Sequence, residues 1–196
     1  MSKSREQLNT WLKTIELKGG CLLDVGVQDK PVRDRLGGCD VDCYRTLDVD
    51  VQWNPDILMD LNEVDNNQVV VAKLYEHAFD YVFAIEVFEH LWNPIAALKQ
   101  IYTMLNKDGY LYLSWPFINP LHDIFDACRY TEEGMRNMLE RTGFEVVDVD
   151  YRRATVGKEH LEAFYQAEGI RVSKIRPPQD HVNKDVIGFM LIARKR

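Results

Sequence analysis

Phe79-Asp-Tyr-Val-Phe-Ala-Ile85, then Asn93-Pro94-Ile-Ala-Ala-Leu98 running on to Leu105, then Tyr110-Leu-Tyr-Leu-Ser-Trp115, is the stretch that decides the fold. The first piece is a short apolar run without glycine or proline inside, which reads as a buried strand. Asn93 then offers a side-chain acceptor to the free N–H groups of a first helical turn, and Pro94 brings the fixed φ that suits the first helical position. Ile95, Leu98, Ile101 and Leu105 continue on one face, so a helix is predicted, stopping at Asn106-Lys-Asp-Gly109. Tyr110 to Trp115 is the next strand. Strand, helix and strand in this order form a right-handed crossover between two parallel strands.

The same alternation extends in both directions. Towards the amino end, Cys21-Leu-Leu-Asp24-Val-Gly26 reads as a strand closing on a tight turn, with further strands at Tyr44 to Val49 and Asp56 to Met59. Leu8, Trp11, Leu12 and Ile15 mark an apolar stripe on a helix from about Arg5 to Leu17. Asn66 to His77 is divided, since Val69-Val-Val71 favours a strand and Ala72-Lys-Leu-Tyr75 a helix. Towards the carboxyl end, Thr131 caps a helix bearing Met135, Met138 and Leu139 that ends at Gly143, and strands follow at Phe144 to Tyr151 and Val186 to Arg194. Residues 152–184 form an insertion before the last strand, with an amphipathic helix expected around Lys158 to Ala167. A chain of 196 residues supports one buried core. The expectation is a single α/β domain over residues 1–196, its N-terminal helix within 1–19, with helices on both faces of a mainly parallel sheet.

Bulk charge narrows the partners. A net charge of -7 lacks the concentrated Lys/Arg face that phosphate neutralisation needs, so nucleic acid is not expected as a partner. No run approaches a membrane span of ~20 apolar residues, and Met1-Ser-Lys-Ser-Arg-Glu lacks the apolar segment of a leader, so no membrane partner and a cytoplasmic setting are expected. Cys21, Cys39, Cys43 and Cys128 include no CxxC pair, and no metal is expected.

The polar residues fall where chemistry needs them. Asp24, Asp48, Asp60 and Glu86 each stand at or just beyond the carboxyl end of a predicted strand, the edge at which open parallel sheets bind ligands. A carboxylate offers acceptors only, so Asp48, after the second strand, suits two ribose hydroxyls, and Asp60, after the third, an exocyclic adenine amine. Each of the four taken alone also reads as a turn or helix cap.

Residues Cys21 to Val149 resemble the class I methyltransferases of the methyltransferase type 11 group. The resemblance rests on Phe79-Asp-Tyr-Val-Phe-Ala-Ile-Glu86-Val-Phe-Glu-His90-Leu-Trp-Asn-Pro94 and on Leu105-Asn-Lys-Asp-Gly109-Tyr-Leu-Tyr-Leu-Ser. A second block, Pro116-Phe117, Pro120, His122, Asp126, Arg129-Tyr-Thr131 and Gly143-Phe144, is similar to a branch associated with methylation of polysaccharides and metabolites. It implies a Rossmann-like three-layer sandwich, a seven-stranded sheet with its last strand antiparallel, and S-adenosyl-L-methionine as cofactor. The cofactor-binding residues it implies are Asp24, Gly26, Gln28, Asp48, Asp60, Leu61 and Glu86. Of the alternate glycines after the first strand the chain keeps only Gly26, in Asp24-Val-Gly26-Val-Gln28-Asp-Lys30-Pro31. Gln28 and Lys30 either crowd the methionine portion of the cofactor, or Gln28 hydrogen-bonds its carboxylate.

In that pattern His90 orients its turn, or else serves as a base. His122, in the loop after the fifth strand, is the candidate catalytic base, and Asp126, Arg129 and Tyr130 either fix that loop or grip an acidic acceptor. The activity implied is methyl transfer to an oxygen or nitrogen of a small-molecule acceptor, of metabolite or sugar type. The alternative is a methyltransferase-like binding or scaffold protein without turnover, favoured by Gln28 and Lys30. A nicotinamide oxidoreductase would need GxGxxG at the first turn, which is absent.

Overall fold

Leu22, Leu23 and Val25 in one short run, and Val82, Phe83 and Ala84 in another, are buried with their side chains alternating to opposite faces of one sheet. Two-sided burial is why these runs are apolar throughout instead of alternating with polar residues. The computed structural model describes residues 2–63, 66–119, 126–154, 166–168 and 186–196. In chain order its elements are α1 (Lys3–Leu12), β1 (Glu16–Lys18), β2 (Cys21–Val25), β3 (Gly38–Asp40), β4 (Cys43–Asp48) and β5 (Ile57–Leu58). Then follow α2 (Asn66–Leu74), β6 (Phe79–Ile85), α3 (Pro94–Met104), β7 (Leu105–Pro116), α4 (Glu132–Arg141), β8 (Phe144–Arg153) and β9 (Val186–Lys195).

Among the described residues seven strands form the main sheet in the order β5-β4-β2-β6-β7-β9-β8. Every pair from β5 across to β7 is parallel, while β9 runs antiparallel to both β7 and β8. This is the mainly parallel sheet with an antiparallel last strand that the family resemblance implied. On one face Leu98, Ile101 and Met104 of α3 and Met135 and Leu139 of α4 pack over Leu23, Ala84 and Leu111. On the other, Leu8, Trp11 and Leu12 of α1 cover Leu22, Phe83, Tyr112 and Met190, with Phe83 and Tyr112 stacked at 4.2 Å. The two predicted caps are formed: the Asn93 side chain accepts from the Ala96 N–H, and Thr131 Oγ1 from the Gly134 N–H.

Several boundaries differ from expectation, each for a local reason. α1 stops at Leu12, and Ile15 instead offers its carbonyl to the N–H groups of Gly37 and Gly38, where β1 pairs with β3. The divided segment becomes helix α2. β7 begins at Leu105 and not at Tyr110, because Leu105 pairs with Phe79 and Asn106 Nδ2 donates to Asp80 at 2.8 Å. The crossover from β2 to β4 carries no α-helix; a single 3-10 turn, Val32–Arg35, and β3 stand in its place. Most of the 152–184 insertion, including the bulk of its expected helix, lies outside the described residues.

Candidate functional site

Parallel register gathers the strand ends. Val25 stands opposite Leu47 and Ala84, and Asp48 opposite Leu58, so Gly26, Asp48, Asp60 and Glu86 emerge along one edge. Backbone bonds continue past the strands there: Gly26 N–H donates to Leu47 O, Met59 N–H to Asp48 O, and Glu86 N–H to Ser114 O.

Asp48 is 6% exposed. Its Oδ1 accepts from the Asp50 N–H at 3.0 Å, while its Oδ2 is buried without a hydrogen-bond partner. A buried lone acceptor costs free energy unless something completes it, and a ribose hydroxyl has the donor it lacks. On this observation the residues fit the cofactor that the fold implies. Asp60 turns one oxygen onto the Asn62 N–H, and Leu61 is buried with its carbonyl accepting from Gln100 Nε2.

Asp24 is otherwise engaged. Its Oδ2 accepts from the Val32 N–H at 2.7 Å and from the Tyr44 hydroxyl at 2.6 Å, which ties the turn after β2 to the neighbouring strand. Burial pushes its carboxyl up to about 6 against the pull of those two bonds. Gly26 has φ +69°, and a Cβ there would come within 2.8 Å of Val87 Cγ2, so this glycine is needed both for its backbone and for its neighbour. Gln28 also has positive φ, at +44°. It therefore holds the left-handed backbone that glycine adopts at no steric cost, and the turn keeps a glycine-like shape without the residue. The Gln28 side chain is exposed, as is that of Lys30, which pairs with Asp29.

Glu86, with φ +58°, is held from three directions. Its carboxylate takes a two-pronged pair from Arg152 of β8, at 2.8 and 3.0 Å, and a hydrogen bond from the Ser114 hydroxyl. Arg152, 3% exposed, reaches it across Gly188, where a Cβ would sit 2.5 Å from Arg152 Nε. Ser4 at the start of α1 touches the same guanidinium. Glu86 thus fixes the edge, and its carboxylate is committed within the protein.

Beyond β7 a cavity of about 380 Å³ opens between Phe117–Asn119 and Asp126–Arg129. Arg129 grips Asp126 and donates to Cys128 O, while the Tyr130 hydroxyl donates to Leu91 O and the Trp115 indole N–H to Tyr130 O. These contacts engage Asp126, Arg129 and Tyr130 within the protein. Trp115 is core and Phe117 is cavity wall. His122 lies outside the described residues. His90 donates its backbone N–H to Val87 O and so closes its turn.

Sequence reading missed two participants. Glu89 is 1% exposed, with neither carboxylate oxygen hydrogen-bonded, and burial, seconded by Glu86, pushes its carboxyl up to about 8. Arg152 lies 66 residues from the carboxylate it pairs with. Glu89 stands in the Glu86–His90 stretch of the resemblance, but nothing local in sequence marks its burial or the pairing of Arg152.

Residues 3–149 match the methyltransferase domain family. Among curated proteins, the tRNA U34 carboxymethyltransferase of Campylobacter lari is 32% identical over 93 residues, 41% of this chain and 32% of the relative. The protein of the same name from a Sulfurovum species is 32% identical over 90 residues, 40% of this chain and 30% of the relative. The match thus spans about a third of the length of these relatives. A solved S-adenosylmethionine-dependent methyltransferase from Mesorhizobium loti superposes with a TM-score of 0.61 at 14% identity, over 99% of this chain and 98% of the other. The cyclase SpnF does so with a TM-score of 0.61 at 15% identity, over 98% and 81%. At such identities the likeness is one of fold, and it includes a cyclase, so the fold does not choose the acceptor. The expectation that nucleic acid is no partner is overturned, because the three curated relatives are named for tRNA. Net charge averages over a whole chain, whereas recognition is local.

Proposed function

This chain belongs to the methyltransferase domain family, and we propose that it methylates an oxygen or nitrogen on a polar acceptor group of about one sugar ring in size. S-adenosylmethionine is the cofactor that the family and fold imply, and when bound it supplies an electrophilic methyl on a sulfonium sulfur. The observation that carries the reading is the buried, unpartnered Oδ2 of Asp48 at the strand edge. Asp48 would accept the ribose hydroxyls, Asp60 and Leu61 would hold the adenine, and the Gly26–Gln28 turn would hold the methionine portion.

Glu86, locked by Arg152 and Ser114, keeps the end of β6 from shifting. The acceptor enters the cavity of about 380 Å³, within the range of small-ligand sites. Alignment of acceptor with methyl supplies most of the rate, since well-oriented groups reach effective molarities of ~10⁵ M and above. A second reading, favoured by the names of the curated relatives, has the acceptor group carried on a tRNA.

Two measurements test these readings. Calorimetry with S-adenosylhomocysteine reports on the cofactor edge, and no binding at millimolar ligand would leave a scaffold protein in its place. Transfer of label from S-adenosylmethionine to unfractionated tRNA or to a mixture of nucleotide sugars then assigns the carrier.

A further inference from the structure

Glu89 sits in the 3-10 turn Phe88–His90 that follows β6, one turn beyond Glu86. Its backbone carbonyl accepts from the N–H groups of Ala127 and Cys128, at 2.8 and 3.0 Å, both of which line the cavity beyond β7. Its carboxylate oxygens are buried without a hydrogen-bond partner. The charged groups around it are Glu86 at the end of β6, Arg152 on β8, Arg129 with its partner Asp126 in the cavity wall, and His90 at 3.8 Å on its own turn. Glu89 is therefore bracketed between the cofactor edge and the acceptor cavity. A buried carboxyl with no partner lowers stability, and its retention there needs a chemical reason.

We propose that Glu89, in the turn between the cofactor edge and the acceptor cavity, takes the proton released by the acceptor. This rests on the cofactor and acceptor reading above. An acceptor O–H or N–H directs its lone pair to the methyl carbon, the carbon–sulfur bond breaks with its electron pair left on sulfur, and the acceptor's proton passes to the Glu89 carboxylate. The sulfonium charge and the carboxylate charge disappear together. Burial and Glu86 keep the carboxyl basic, at about 8, which is what proton abstraction near neutral pH requires.

The test needs no known acceptor. Sinefungin carries a protonated amine where the cofactor carries its sulfonium methyl, and S-adenosylhomocysteine carries nothing there, so calorimetry with the two probes that point alone. Glu89→Gln should lose roughly tenfold or more in sinefungin affinity, the scale of a charge-assisted hydrogen bond, and change less than twofold for S-adenosylhomocysteine. Wild-type affinity for sinefungin should rise with pH as Glu89 ionises, and the variant should be flat. A melting curve at or above that of the wild type at pH 8 shows that the variant is folded. Equal losses for both ligands would mark a packing role and overturn the proposal, as would unchanged sinefungin binding. Wild-type protein that binds neither ligand overturns the cofactor reading itself, and this proposal with it.

Discussion

Asp48 and Gln28 show how much a single position can be asked to do. If the free oxygen of Asp48 receives ribose, Asp48→Ala should weaken S-adenosylhomocysteine binding by roughly 1.5–3 kcal/mol without unfolding the protein, as checked by calorimetry beside circular dichroism. Unchanged affinity would remove it from that role. Gln28→Gly should raise stability by about 1 kcal/mol in urea titration, because it relieves a left-handed backbone that glycine adopts freely. The strand end at Asp48 was legible in the sequence, since Leu47-Asp48 closes the run from Tyr44 on local grounds. The backbone of Gln28 was not: the sequence records the loss of a glycine, while the turn between Asp24 and Val32 decides that its geometry persists. The burial of Glu89 was equally opaque, because its turn is tied by its carbonyl to Ala127 and Cys128, far along the chain.

Among the elements, β8 and β9 act on a site they do not form. The bare Cα of Gly188 on β9 is the passage by which Arg152 of β8 reaches Glu86 at the end of β6. Gly188→Ala should cost about 2 kcal/mol, since the added carbon displaces a buried guanidinium from its carboxylate. Arg152→Met made in the Gly188→Ala background should then add little, and a double-mutant cycle in urea measures the coupling. Helices α3 and α4 could be read from their caps, because Asn93 and Thr131 act within three residues of themselves. The pairing of β1 with β3 could not, since it joins Glu16 to Gly38 and Leu17 to Cys39, which share no sequence pattern.

For the molecule as a whole, the buried carboxyls make folding sensitive to pH. Asp24 and Glu89 both hold their protons more tightly folded than unfolded. Their stabilising contribution is complete below about pH 4, where the unfolded chain is also protonated. It is lost as pH rises, through about 6 for Asp24 and about 8 for Glu89. Urea midpoints of wild type minus Glu89→Gln should therefore agree near pH 4.5 and diverge by pH 8.5, with the variant the more stable. A difference independent of pH would mean that Glu89 is not buried as a free acid. The position of β9 has a consequence of another kind. Of the described strands it comes last in the chain, yet it lies between β7 and β8, both synthesised earlier. Until β9 is made, β7 keeps an open edge and β8 lacks the strand it pairs with. The growing protein must pass through a sticky stage that ends only when β9 slides into the gap.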